Sequence, residues 1–306
     1  MKSLPVLVTC FARPDLLKQS LSSLLNSTTP IQLFFHIDGP RPDNTEDLVA
    51  IQKCKDVIEQ LCGQKSPQIK CSPHNLGVRD AMIHAITWFF ENVEFGLIVE
   101  EDIVIHPDAA GLSLSLLDKF QQDFTIGAIS LHNNLPEKYI NHDSDLFVSN
   151  LVFLWGWATW RNRWVVTSGG IANPFKRLLS CNLYNKIGFF GYLYFLRFLN
   201  YKAKFSWDGD LLLNYWEHGY LTILSRHNLA WNIGFDQRAT HTKVSICQRE
   251  VYDKSIQNYS DLRLLKNIDT KFEKLLVNEI FGLKSFRTKF QYLKWFTKTF
   301  WSFLRA

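Results

Sequence analysis

The chain has 306 residues, 46% hydrophobic and 21% charged, which excludes a disordered, collagenous or disulfide-scaffold protein and provides for a sizeable core. Aromatic residues are the outlier at 14% and need a location. The formal charge of +5 arises at the end of the chain, where residues 283–306 hold six basic side chains and no acidic one; the remainder stands at −1, with no compositional case for a nucleic-acid surface.

Six cysteines (Cys10, Cys54, Cys62, Cys71, Cys181, Cys247) show neither CxxC spacing nor a compact disulfide framework, so a reducing, cytoplasmic compartment is expected. Residues 1–10 are too short for a signal-peptide core. The longest apolar stretch, 187–196, is about half of the ~20 residues a membrane span requires. Neither a leader nor a transmembrane helix is predicted.

In chain order, residues 5–10 (PVLVTC) read as a buried strand. Residues 15–25 put Leu16, Leu17, Leu21, Leu24 and Leu25 on one helical face. A strand over 31–38, a helix over 46–62, a strand over 68–72 and a helix over 78–93 follow. Residues 95–99 (FGLIV) then run straight into Glu100, Glu101 and Asp102. Strands alternating with helices imply a mostly parallel sheet with helices on both faces and ligands at the carboxyl ends of the strands. Further on, 126–131 reads as a strand and 155–164 as a Trp- and Gly-rich stretch. Residues 172–205 form a basic, aromatic, helical insertion, 211–217 a short helix and 220–224 a strand. With no linker between the halves, the expected organisation is one domain over 1–282 and a separate tail over 283–306.

Two constellations point to chemistry. Carboxylates where a buried strand emerges suit a hard divalent cation that bridges nucleotide phosphates; the plain alternative is a solvated strand end. Asp208 and Asp210, just ahead of a predicted helix, are either capping residues or a base poised beside a pocket.

The succession PVLVTCFARPDLL, HIDGP, HNLGVRDA, LIVEEDIVIHPD, WGWATW, WDGDLLLNYWEHGY and ATHT, over about residues 4–243, resembles metal-dependent GT-A glycosyltransferases. Bacterial sugar transferases distantly similar to EDD-motif N-acetylglucosaminyltransferases are the nearest likeness. The resemblance implies a GT-A, Rossmann-like α/β fold with Asp102 as ligand to Mn2+ or Mg2+ on the diphosphate of a nucleotide-sugar donor. Glu100 and Glu101 would contact ribose or sugar, although Glu101 stands where related motifs usually carry Asp. It also implies that Thr9, Arg13 and Asp38 edge the nucleotide pocket, Asp38 facing a uracil N–H, and that Asn75, Gly77 and Arg79 lie near phosphate. Asp208 matches the catalytic base, with Asp210 as the fallback, and His241 matches a histidine that completes some metal sites. Trp155, Gly156 and Trp157 match a loop near the acceptor; a packed aromatic cluster is the alternative.

The resemblance thus implies an inverting transfer from a UDP-sugar to a saccharide or lipid-linked hydroxyl, in polysaccharide assembly. A sugar-nucleotide nucleotidyltransferase is disfavoured because Cys10 to Pro14 lacks a Gly-rich phosphate loop, and a non-catalytic binding protein that keeps the fold is the other reading. At helical spacing the tail sets Phe286, Phe290, Leu293, Phe300 and Leu304 against Lys284, Arg287, Lys294, Lys298 and Arg305, and Lys289 alone breaks the pattern. That pattern predicts an amphipathic helix on an anionic membrane surface, hence a peripheral, cytoplasmic-side protein, or a helix docked on the body.

Overall fold

The computed structural model describes residues 2–133, 145–167, 181, 183–202, 207–235, 259, 262–265, 267–280, 283 and 285–304. Its first half follows the pattern of the sequence: β1 (Leu4–Cys10), α1 (Pro14–Leu25), β2 (Ile31–Ile37), α2 (Thr45–Cys62), β3 (Gln68–Cys71), α3 (Gly77–Asn92) and β4 (Phe95–Glu100). β1 pairs in parallel with both β2 and β4, and β2 with β3. The apolar runs of β1 and β4 are buried because helices cover both of their faces.

The alternation of side chains assigns each face to its helices. Val6, Val8, Phe35 and Leu97 pack with Leu17 and Leu21 of α1 and Ile58 of α2. Leu7, Phe34 and Ile98 point the other way, onto Ile86 and Phe89 of α3.

The second half continues the sheet less regularly. β5 (Ile103–Ile105) and α4 (Ala109–Lys119) lead to β6 (Ile126–Ser130), β7 (Leu146–Ser149), β8 (Trp157–Trp160) and α5 (Arg161–Thr167). Then come α6 (Leu183–Lys202), α7 (Trp207–Glu217), β9 (Leu221–Ser225), β10 (Ala230–Asn232), β11 (Leu264–Leu265), α8 (Thr270–Ile280) and α9 (Phe286–Leu304). The large sheet has the order β11-β7-β9-β6-β8-β4-β1-β2-β3. β8 runs antiparallel between β4 and β6, and β7 antiparallel to β9, so the sheet is mixed but mostly parallel. It is an α/β fold of the expected class.

Two boundaries differ from the sequence reading. Residues 157–160, expected only as a Trp- and Gly-rich stretch, form the strand that joins the two halves of the sheet. The short helix expected at 211 starts at Trp207, so Asp208 and Asp210 belong to its first turn rather than preceding it. A second core lies beyond β7 and β9, where Phe147 and Leu224 meet α6, α7, α8 and Tyr292 of α9. Glu273 ties α8 to the end of β7, accepting hydrogen bonds from Ser149 Oγ at 2.7 Å and Asn150 N at 2.9 Å.

Candidate active site

The carboxyl ends of β1, β2 and β4 share one edge, since Thr9 pairs with His36 on one side and Glu100 on the other. Beyond Glu100 the chain turns: Glu101 N donates to Thr9 O at 2.9 Å, which turns Glu101 and Asp102 back towards the loop after β1. There Glu101 accepts from Phe11 N at 2.8 Å and from Arg13 Nε at 2.5 Å, while Arg13 Nη2 lies 2.8 Å from Asp102 Oδ2. Burial works against the Arg13 charge, but Glu101 and Asp102 outweigh it and hold the guanidinium firmly protonated.

Asp102 is enclosed from a direction that the sequence does not reveal. β10 pairs antiparallel with β5, and just past it Ile233 N donates to Asp102 O at 2.8 Å. Gly234 then lies so close that a Cβ there would overlap Asp102 Oδ2, so the close approach requires glycine. Asp102 Oδ1 is buried and, among the described residues, has no hydrogen-bond partner. A buried carboxylate oxygen without a donor is costly, and a cation is the natural partner for it.

No three His, Cys, Asp or Glu side chains converge on a metal position among the described residues, and His241 lies outside them. Asp102 nevertheless fits a divalent cation of the kind that takes one or two carboxylates and completes its shell from substrate phosphates and water.

Glu100 is pushed up to about 8 by burial of its carboxyl, then by the Asp102 charge; Arg13 opposes these, and Asp208 and Glu101 add to them. Asp208, about 100 residues later, is therefore in electrostatic reach of the acidic strand end. The two candidate bases have different surroundings. Asp208 is exposed, whereas Asp210 is only 7% exposed and bound by Arg79 Nη2 at 2.8 Å. Arg79 is thereby committed to tying α3 to α7.

The residues expected around phosphate are engaged differently. Asp38 accepts from Gly39 N at 2.9 Å, Asn75 Nδ2 at 2.9 Å and Leu76 N at 3.0 Å. Gly77, with φ of +75°, opens α3 at that point. The anion at this helix N-terminus is thus the protein's own carboxylate, and burial outweighs these bonds to raise its pKa. Among the aromatic candidates, Trp157 is 1% exposed and faces Trp207 at 6.3 Å, so it is a core residue of β8. Trp155 is partly exposed and lies 4.8 Å from His132 and 5.8 Å from Phe235; Gly156 bends the chain between the two with φ of +70°. The sequence reading missed Phe11 N, Gly234 and His132: a backbone donor and an absent Cβ leave no pattern in a sequence.

No family model matches the chain, and no curated protein matches it. Among solved structures it is similar to TarS residues 1–349 from S. aureus, with 12% identity and a TM-score of 0.42, over 73% of this chain and 57% of that one. It is also similar to the glycosyltransferase GlyE of Streptococcus pneumoniae, with 9% identity, a TM-score of 0.35, and 72% and 45% covered. A third is glucosyl-3-phosphoglycerate synthase from Mycobacterium tuberculosis, in complex with Mn2+ and UDP: 10% identity, a TM-score of 0.34, and 61% and 67% covered. The chain spans about half the length of the first two, and the likeness is distant. The functional reading rests on the chain's own residues.

Proposed function

We propose that the chain is an inverting, metal-dependent glycosyltransferase. It moves a hexosyl or N-acetylhexosaminyl group from a nucleoside-diphosphate sugar, a UDP-sugar foremost, to a hydroxyl of a saccharide or lipid-linked acceptor. One observation carries this reading: an exposed carboxylate, Asp208, stands within electrostatic reach of a strand end whose buried Asp102 Oδ1 has no donor among the described residues. A base and a cation site side by side are what transfer from a diphosphate sugar needs.

In this reading Asp102 holds the Mn2+ or Mg2+, with His241 as the proposed further ligand. The metal supplies charge stabilisation for the departing diphosphate. Arg13 fixes Glu101 and Asp102 in place, and Thr9 and Glu100 form the floor between β1 and β4. Asp208 takes the proton from the acceptor hydroxyl as its oxygen forms the bond to the anomeric carbon. The bond from that carbon to the diphosphate oxygen breaks, and the nucleoside diphosphate leaves with the electron pair. Asp210 and Arg79 position α7 against α3, Asp38 and Asn75 shape the loop at the nucleotide edge, and Trp155 with Gly156 offers an aromatic face to the acceptor. The setting proposed is polysaccharide assembly, peripheral on the cytoplasmic face of a membrane; no helix among the described residues is long and apolar enough to cross one.

The test is incubation with Mn2+ and a panel of nucleotide-sugars, followed by mass spectrometry of released nucleotide and glycosylated product. Turnover that disappears in Asp208→Asn supports the assignment. Donor binding without turnover for any sugar or acceptor would make the chain a nucleotide-sugar-binding protein instead.

A further inference from the structure

The aromatic excess of the composition has a location. α6 and α9 hold 16 of the chain's 44 Phe, Trp and Tyr residues, and their 39 residues include seven basic side chains and no acidic one. These two segments, about 100 residues apart in sequence, pack on each other: Tyr292 of α9 is buried, lies 5.7 Å from Tyr194 of α6, and has Arg197 stacked on its ring at 5.6 Å. We propose that this helix pair is a platform that seats the protein on an anionic lipid bilayer, with Asp208 at its margin. The seating stands on the helix pair alone, and only the placement of Asp208 rests on the glycosyltransferase reading.

Three observations carry it. First, a helix that only packs on a body carries mixed charges on its outer face, whereas every charged residue of α6 and α9 is a cation. Second, Phe290 is 56% and Phe189 41% exposed, and the solvent-facing charges near them are Arg287 and Lys294. Single exposed rings are ordinary on a protein surface, but an exposed ring with exposed cations one helical turn to either side matches the headgroup layer of an anionic membrane. Lys289, next to Phe290, lies over the ring of Phe190, next to Phe189, at 5.4 Å, which brings both exposed rings to one end of the pair.

Third, the pair adjoins the candidate site. Phe195 of α6 lies 4.7 Å from Trp216 of α7, the helix whose first turn carries Asp208, and after burial and the Tyr292 ring the Asp208 charge is among the causes that raise the Tyr194 phenol. An acceptor still anchored in the bilayer would meet Asp208 from this side.

The tail alone does not make this surface. Of the apolar face expected from the sequence, Leu293 packs into the second core while Phe290 is exposed; Tyr292, Trp295 and Phe296, outside the expected face, pack into that core with it. Removing the tail would therefore unfold part of the body and test nothing. The experiment is co-sedimentation of the full chain with vesicles of mixed phosphatidylglycerol and phosphatidylcholine, and of phosphatidylcholine alone.

The protein is expected to sediment with the mixed vesicles only. Arg287→Glu with Lys294→Glu should weaken binding roughly 25-fold or more, at about fivefold per lost cation. Phe189→Ser with Phe290→Ser should weaken it about 10-fold or more. Unchanged unfolding temperature and UDP-sugar affinity in these exposed-site variants would confirm that the fold and donor site are intact. The proposal is overturned if the wild type ignores the mixed vesicles or if the variants sediment as it does. It is equally overturned if a short DNA duplex binds more tightly and displaces the vesicles, which would make this a general polyanion surface. Sedimentation without sugar transfer would sink the glycosyltransferase reading and leave the platform standing.

Discussion

Asp208 and Asp210 differ by two positions in sequence and by their surroundings in the fold. Asp208→Asn, near-isosteric and on the surface, is expected to keep UDP-sugar binding and thermal stability while turnover falls ~100-fold or more. Asp210→Asn breaks a largely buried ion pair between α3 and α7 and should cost about 1–3 kcal/mol of stability. Normal turnover in the first variant and a dead, fully stable second one would reverse the roles. Asp102→Asn alters the carboxylate whose buried Oδ1 has no hydrogen-bond partner among the described residues. Titration calorimetry should show Mn2+ strengthening UDP binding in the wild type and not in the variant. The acidic run could be read from sequence because an apolar strand ends in three carboxylates. Its chemistry could not: whether Arg13 meets Asp102, or Arg79 meets Asp210, depends on contacts bridging 89 and 131 positions.

At the scale of elements, β2 carries a pH response. His36 is 1% exposed, with Nε2 3.1 Å from His84 Nδ1 of α3 and 3.3 Å from Ser72 Oγ. Burial, then the His84 and Lys70 charges, lower its pKa from 6.5 to about 4. The folded value lies below the unfolded one, so the unfolded chain binds the extra proton in that window. The associated stability is complete above pH 6.5 and is lost as pH falls towards 4, up to about 3 kcal/mol in all. Urea midpoints at pH 7 and pH 5 would register it, and an NMR signal of His36 that titrates near 6.5 would sink it. The helices of the first half are legible because the apolar period of 3.6 continues over 11 or more residues. β8 is not, because Trp157 to Trp160 lacks alternation: the strand is covered on both faces, so every residue is buried. α9 shows a different failure. Periodicity found its helix, but the docked face meets Phe190, Tyr194 and Arg197 of α6, which no pattern within the tail encodes. Deleting residues 286–306 is accordingly expected to lower the unfolding temperature and expose the second core to a hydrophobic dye. An unchanged melting curve would return the tail to the status of an appendage.

Across the described residues, the large mixed sheet is packed on both faces in its first half, against α1 and α2 on one side and α3 on the other, and carries the second core under the helices that follow α5. Fold class could be read from the first 100 residues, since alternating strands and helices leave few alternatives. The order of strands in the second half could not, because β7, β8 and β9 pair out of sequence order. Ligand response belongs to this scale as well. Asp102 Oδ2 is paired with Arg13, so Mn2+ alone is expected to shift the melting temperature little. UDP with Mn2+ brings its own phosphate ligands and should stabilise by about 2.7 kcal/mol at one hundred times the dissociation constant. Equal shifts from the metal with and without nucleotide would contradict a site completed by the diphosphate.

The antiparallel β8 sets a timetable for synthesis on the ribosome. β4 leaves the exit tunnel with β1 already available on one side, but its other edge finds no partner until residues 157–160 emerge roughly 60 residues later. At 5–20 residues per second, that edge stays open for about 3–12 s. An apolar strand with one bare row of amides invites pairing with another nascent chain. Ribosome-stalled chains ending at residue 150 should therefore recruit a holdase that chains stalled after residue 200 no longer recruit. Equal recruitment at both lengths would mean that the edge is protected by some other route.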